Sequence, residues 1–134
     1  MGAAKVLIID EQDQYLVMIR DNHPRFGNDP DLPGGTIEVG ESSGTAAVRE
    51  VYEEAGISIS IDDIELLYEG IEYSAHGIEY SLYLTRITPR PEVMLSWEHS
   101  SYKWVSLGVF LKAAQQAEDT YMNMAYDVVS KQLN

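Results

Sequence analysis

Three glutamates, Glu50, Glu53 and Glu54, follow one another at the spacing i, i+3 and i+4. On a helix with 3.6 residues per turn, this spacing places all three side chains on one face, where like charges repel one another. A divalent cation would relieve that repulsion, and carboxylate oxygens suit Mg²⁺ or Mn²⁺ better than zinc. Because Mg²⁺ commonly shares its coordination shell with substrate phosphates, the cluster indicates phosphoryl chemistry. From the spacing alone, a solvated acidic helix face is the alternative.

The helix that positions these glutamates is predicted over residues 42–55. Ser42 or Ser43 can cap its start, and Gly56 stands where helices commonly end. A helical wheel predicts one narrow apolar stripe that faces the core and places the three glutamates opposite it, with Glu53 and Glu54 facing outward. The predicted stripe consists of Val48, Val51, Tyr52 and Ala55.

A longer pattern surrounds the helix. After Gly35 come five residues, then Glu41, then seven residues, then the run from Arg49 to Ile57, REVYEEAGI. This resembles the Nudix box, Gly-x5-Glu-x7-Arg-Glu-U-x-Glu-Glu-x-Gly-U with U aliphatic, at every position. The resemblance implies one Nudix hydrolase domain over residues 1–134, with a Nudix-type α/β/α sandwich and a mixed β-sheet. It also implies Mg²⁺-dependent cleavage of a pyrophosphate bond, with Mn²⁺ as a possible substitute.

The resemblance implies roles for individual residues of the box. Glu50, Glu53 and Glu54 are similar to the metal-binding glutamates, and Gly35 to the glycine whose backbone carbonyl joins the metal site. Arg49 resembles the arginine that holds and orients a box glutamate, with Glu41 packed beside it.

The stretch 98–105, EHSSYKWV, is similar to one in which a glutamate reaches the metal centre. By that likeness Glu98 is a further metal ligand or the general base; the alternative is a solvated loop acid. The predicted catalytic residues are therefore Arg49, Glu53, Glu54 and Glu98. The general base stays open among the three glutamates, with Glu53 placed first because Arg49 at i−4 can orient it.

Substrate contacts are predicted around a long loop at residues 21–33. Arg20 and Arg25 border or lie in it and could meet phosphates, and Phe26 could stack on a base. Tyr73 lies close to where a tyrosine occurs in dinucleoside polyphosphate hydrolases of the family. Solubility for the arginines and core packing for the aromatic residues are the alternatives.

The substrate that we expect first is a nucleoside or deoxynucleoside triphosphate, cleaved to monophosphate and pyrophosphate. Dinucleoside polyphosphates and ADP-ribose or a nucleotide-sugar are the alternatives. A non-catalytic nucleotide-binding regulator is less favoured because every box glutamate is present. A Ca²⁺-binding module is disfavoured because no EF-hand loop pattern occurs.

The remaining chain predicts an α/β (α+β) domain. Residues 5–10 and 15–20 indicate a hairpin, and Pro89 and Pro91 end a later strand. Further strands are predicted at 36–39, 64–73, 78–87 and 102–105, and helices at 107–117 and 120–133. Strands mixed with helices in this order favour a mixed sheet.

Composition narrows the functional classes. The 134 residues carry a net charge of −13, the opposite sign from that of nucleic-acid binders. Cysteine is absent, which excludes a disulfide framework and a thiolate nucleophile. No apolar run reaches membrane-span length and no signal-peptide pattern occurs, so we expect a cytoplasmic enzyme without membrane or nucleic-acid partners. A homodimer is possible on the family resemblance alone.

Overall fold

The computed structural model describes residues 2–20 and 29–133. In chain order the strands are β1 (Gly2–Ile9), β2 (Tyr15–Arg20), β3 (Pro30–Asp31), β4 (Gly34–Thr36), β5 (Glu65–Gly70), β6 (Glu79–Arg86) and β7 (His99–Val105). The helices are α1 (Ser43–Ala55), α2 (Leu107–Gln116) and α3 (Thr120–Gln132), with a short 3-10 turn at Ile61–Asp63.

The strands form one mixed sheet, as the sequence predicted. β1 runs parallel to β6 along its whole length, from the pair Gly2–Glu79 to the pair Ile9–Arg86. All other pairings are antiparallel: β2 and β4 with β1, β3 and β7 with β2, and β5 with β6. The main path has the order β3-β2-β1-β6-β5.

The sheet is buried on both faces, which confirms the α/β/α layers. Side chains of β1 alternate between two cores: Val6 and Ile8 pack with α1, whereas Leu7 and Ile9 pack with α2 and α3. This alternation follows from the two-residue period of a strand. All four side chains are fully buried, and each such burial contributes at most about 1.5–3 kcal/mol to stability.

The predicted hairpin is confirmed, but its two strands diverge. β1 and β2 pair only at Ile9–Tyr15, next to the turn. Further along, the edge of β1 is taken by β4, through the pairs Ala3–Thr36 to Lys5–Gly34. A two-residue strand, β3, also lies within the predicted loop.

The strand predicted at 36–39 was wrong in its bounds. It begins at Gly34 and ends at Thr36, because its residue pairs with β1 end at Ala3–Thr36, close to the start of β1. Val39 is fully exposed.

The face of α1 that meets the sheet differs from the wheel prediction. Val51 and Ala55 are buried as predicted, but Tyr52 is 61% exposed. Ala47 is fully buried and Glu54 is only 7% exposed. The buried face is therefore rotated toward Ala47, and the prediction that Glu54 faces outward was wrong.

Within the described ranges, no helix combines the length and apolar character needed to cross a bilayer.

Candidate active site

Helix α1 is fixed at both ends by local contacts. The Ser42 side chain accepts a hydrogen bond from the backbone N–H of Thr45, as an N-cap residue does. Gly56 ends the helix in the left-handed conformation, with φ of 69°, and its N–H donates to the carbonyl of Tyr52. Glycine is favoured at this position because a side chain is strained there. The predicted start and stop of the helix are confirmed.

Strand β4 lies against the glutamate face of α1. The N–H of Gly34 donates to Oε1 of Glu54 at 3.1 Å. A Cβ atom on Gly35 would overlap the carboxylate of Glu50, so the missing side chain makes room for that carboxylate. Gly34 and Gly35 are thus in direct contact with two of the glutamates of the sequence pattern.

One guanidinium organises the acids around this strand. Arg49 donates to both carboxylate oxygens of Glu41, at 2.7 and 2.9 Å, and also to Glu50 at 2.7 Å and to Glu53 at 3.0 Å. Glu38 lies 3.7 Å from Nε of the same arginine. We call Glu38, Glu41, Arg49, Glu50 and Glu53 the Arg49 cluster. The predicted pairing of Arg49 with Glu53 and Glu41 is confirmed.

The carboxyls near β4 differ in their proton affinity. Hydrogen bonds from Arg49 hold the pKa of Glu41 at about 2. Burial raises the pKa of Glu54 to about 7, although Lys5 acts in the opposite direction. Burial also raises the pKa of Glu50. At two of the three glutamates, burial therefore outweighs the nearby positive charge of Arg49 or Lys5 in the metal-free protein.

These oxygen donors match a hard divalent cation in chemical type. Their present arrangement does not surround one point: no three His, Cys, Asp or Glu residues in the described chain are grouped so that they could hold an ion. Arg49 donates hydrogen bonds to Glu50 and Glu53, whereas Glu54 accepts a hydrogen bond from the N–H of Gly34. The side chain of Glu53 is about half exposed.

A second charged group lies behind β4 and is almost completely buried. Lys5 donates to Asp31 at 2.6 Å, Arg20 lies 3.1 Å from Asp31 and 2.6 Å from Asp119, and His99 contacts Asp31 at 3.0 Å. We call Lys5, Arg20, Asp31, His99 and Asp119 the Asp31 cluster. Burial alone would raise the pKa of Asp31, but Lys5, His99 and Arg20 hold it well below its usual value.

The Asp31 cluster adjoins Glu54. The charges of Lys5, Asp31 and His99 all act on the Glu54 carboxyl. Arg20, predicted to contact substrate phosphates, is buried and paired here with two carboxylates. Its described partners are therefore protein acids.

Glu98 is exposed in the turn that precedes β7. The segment before it is bound to the end of α1: the N–H of Met94 donates to Ala55 and that of Ser96 donates to Glu54, both to backbone carbonyls. The turn that carries Glu98 thus starts beside Glu54.

The other predicted substrate residues lie either away from the glutamates of α1 or outside the described residues. Tyr73 donates to Asp127 of α3 at 2.7 Å and packs edge-on against Tyr68, so it joins the α3 side of the molecule. Arg25 and Phe26 lie outside the described residues.

Sequence reasoning missed Asp31, His99 and Lys5. The one available signal was Lys5, a single charged residue in the otherwise apolar run of β1, since buried lysines need a partner. Asp31 and His99 are 26 and 68 residues from their partners, and only the strand order brings them together.

The fold and the box geometry define a class: an α/β/α domain in which a glutamate-bearing helix lies against a Gly-Gly strand. The family model of the NUDIX domain matches residues 1–124, and the chain belongs to this family.

Named relatives agree with this assignment. The chain is 32% identical over 105 residues to a Bacillus subtilis protein named "Putative 8-oxo-dGTP diphosphatase", covering 78% of this chain and 66% of that protein. It is 36% identical over 89 residues to the asymmetrical bis(5'-nucleosyl)-tetraphosphatase of Caenorhabditis elegans, covering 64% of each. The matched region thus spans about two thirds of these relatives.

Solved structures share the fold. A MutT protein from Methanosarcina mazei has a TM-score of 0.74 at 24% identity, covering 98% of this chain and 94% of that one. The NUDIX domain of Shewanella oneidensis NrtR, solved with ADP-ribose, has a TM-score of 0.74 at 20% identity, covering 100% and 88%. Nudix hydrolases generally use a divalent metal.

Proposed function

We propose that the chain hydrolyses a pyrophosphate bond in a small nucleotide-like substrate and depends on a divalent cation. One observation carries this proposal. Glu50 and Glu54, two of the three box glutamates on α1, lie against the Gly34–Gly35 strand in a site with excess negative charge. Such a site repels phosphate unless a cation is present, so substrate and cation would bind together.

The proposed cation is Mg²⁺, with Mn²⁺ as a substitute. Glu50, Glu53, Glu54 and the carbonyl of Gly35 are the proposed ligands, with Glu98 as a further one. When bound, the cation would neutralise phosphate charge and make a bound water more acidic. Oxygen ligands of this kind favour Mg²⁺ over softer metals.

The chain's own residues would supply alignment and a proton acceptor. Arg49 holds Glu50 and Glu53 in place through one guanidinium. A carboxylate would take the proton of the attacking water while the water oxygen bonds to phosphorus and the P–O anhydride bond breaks. Glu53, Glu54 and Glu98 are the three residues proposed for this step.

The substrate that we propose first is a nucleoside or deoxynucleoside triphosphate, giving monophosphate and pyrophosphate. The named Bacillus subtilis relative and the MutT structure support this choice. The second candidate, a dinucleoside polyphosphate, is supported by the 36% identity to the Caenorhabditis elegans tetraphosphatase. ADP-ribose is the third, because the Shewanella oneidensis NUDIX domain was solved with it.

A substrate panel tests the proposal. Canonical and oxidised nucleoside triphosphates, a dinucleoside tetraphosphate and ADP-ribose are each incubated with the protein and Mg²⁺, with and without EDTA. We expect cation-dependent release of a monophosphate from one class, and ¹⁸O-water then locates the attacked phosphorus. Nucleotide binding without turnover of any substrate would instead support a non-catalytic regulator.

Assembly and location stay predictions. A homodimer is proposed from the family resemblance, and light scattering on the purified chain measures it. A monomeric mass would exclude the dimer under those conditions. A cytoplasmic location likewise stays a prediction.

A further inference from the structure

We propose that Asp31 is a positioning residue of the candidate site, because its single carboxylate joins the strand that holds Glu54 to the turn that carries Glu98. This inference rests on the proposed function, since it concerns the same two glutamates. Asp31 itself is buried and makes no described contact with either of them.

The first connection runs from Asp31 to Glu54 through the backbone. Oδ1 of Asp31 accepts from the N–H of Leu32 at 2.9 Å and from Nζ of Lys5 at 2.6 Å. The carbonyl of Pro33 then accepts from Val6 at 2.9 Å. Residues 31–33 are thereby held to β1. The N–H of the next residue, Gly34, donates to the carboxylate of Glu54.

The second connection runs from Asp31 to Glu98. Oδ2 of Asp31 contacts Nε2 of His99 at 3.0 Å, and both side chains are buried. The turn at residues 97–98 lies between His99 and Ser96, and the N–H of Ser96 donates to the Glu54 carbonyl at 3.0 Å. The turn is thus held at both ends, once by Asp31 and once by α1.

The chemistry of the His99 contact supports a fixed geometry. A carboxylate that contacts Nε2 fixes the orientation of the imidazole ring, as carboxylates do behind histidines of metal sites. Nδ1 of His99 has no hydrogen-bond partner in the described chain. The contact with Asp31 is therefore the polar contact that sets the position of this side chain.

A contact comparable to that between Asp31 and His99 lies at the other end of β1. The buried carboxylate of Asp10 accepts from Nε of Arg90 at 2.7 Å. Asp10 is five residues beyond Lys5, roughly 16 Å along an extended strand. It offers the same kind of contact without a connection to Glu54 or Glu98, which makes Arg90 a suitable control.

The experiment compares His99→Leu, His99→Gln and the control Arg90→Leu in the full chain. Leucine removes the donor to Asp31, whereas the glutamine amide can place a donor near the position of Nε2. kcat and KM are measured on the substrate identified by the panel. Mn²⁺ affinity is measured by electron paramagnetic resonance, and thermal melting reports stability.

We expect His99→Leu to lower kcat by about tenfold or more and to weaken Mn²⁺ binding, in line with the usual effect of residues behind metal ligands. KM stays near the wild-type value, because no substrate contact is removed. His99→Gln recovers most of kcat and of the Mn²⁺ affinity. Arg90→Leu lowers the melting temperature but leaves kcat and Mn²⁺ affinity unchanged.

Three outcomes would overturn the inference: wild-type kcat and Mn²⁺ affinity in His99→Leu, equal losses in His99→Gln and His99→Leu, or an equal kcat loss in Arg90→Leu. A wild-type chain that hydrolyses none of the panel substrates would refute the proposed function instead. In that case the Mn²⁺ affinities of the same variants still decide whether Asp31 positions the carboxylates.

Discussion

The two charged clusters on either side of β4 both combine basic and acidic side chains, but in different proportions. In the Arg49 cluster one guanidinium faces four carboxylates, and several of these side chains reach solvent. In the Asp31 cluster Lys5 and Arg20 face Asp31 and Asp119, with His99 as a further partner, and every side chain is nearly enclosed.

This difference indicates that the Arg49 cluster belongs to the candidate site and that the Asp31 cluster supports it structurally. Buried charges are tolerated when they are paired and hydrogen-bonded, and the Asp31 cluster meets that condition. The Arg49 cluster keeps excess negative charge at an accessible position, which is unfavourable for folding alone. Substitutions in the Asp31 cluster should change the free energy of unfolding most. Substitutions in the Arg49 cluster should change cation binding and turnover most.

The largest expected effect is that of Asp31→Asn on stability. The change leaves Lys5 and Arg20 buried with one carboxylate fewer, and breaking a buried ion pair from one side costs about 3–5 kcal/mol. Urea denaturation of the variant and the wild type measures the difference in unfolding free energy. Glu41→Gln, in the Arg49 cluster, should cost much less. Equal losses in the two variants would erase the distinction between the clusters.

The second effect concerns turnover. Glu53→Gln and Glu54→Gln should each lower kcat by about a hundredfold or more, because each removes a proposed ligand or proton acceptor. Glu65→Gln on the exposed end of β5 serves as the control and should retain full kcat. If both variants kept wild-type kcat, neither residue would belong to the catalytic set.

The sequence predicted those contacts of the site that join residues close together along the chain. The caps at Ser42 and Gly56 and the pairing of Arg49 with Glu53 are local, so spacing alone revealed them. The rotation of α1 was missed because four apolar positions fix a wheel poorly, and Ala47, a small residue, marks the true centre of the buried face.

The contacts of Asp31 are of another kind. They join β1, β3 and β7, strands that are distant along the chain, and no local pattern specifies which strands become neighbours. A bulge between Ile19 and Arg20 also shifts the register of β2 against β7. The alternation of side chains between the two faces of β2 therefore could not predict where Arg20 lies.

The third effect is the pH dependence of stability in the metal-free protein. Burial raises the pKa of Glu54 from its ordinary value of 4.5 to about 7. Its contribution to stability is therefore fully present below about pH 4.5 and is lost as the pH rises through 7, with a slope of at most ~1.4 kcal/mol per pH unit.

Glu54→Gln isolates this contribution because the amide does not titrate. We expect the stability of wild type relative to Glu54→Gln to fall between pH 4.5 and 7, measured by urea denaturation in EDTA. A difference that stays constant over this range would show that folding does not raise the pKa of Glu54.

The smallest effect expected is that of Arg49→Lys. The guanidinium serves Glu41 with two hydrogen bonds and Glu50 and Glu53 with one each, and it also donates to the carbonyl of Thr36 at 3.2 Å. An ammonium has three donors and no planar fork, so it cannot keep this set. We expect kcat to fall by roughly tenfold, the effect typical of a residue that orients metal ligands. Arg86→Lys, at the exposed pair with Asp13, should leave kcat unchanged. If Arg49→Lys also left kcat unchanged, the positive charge alone would hold the glutamates, and the fork geometry of the Arg49 cluster would be irrelevant to turnover.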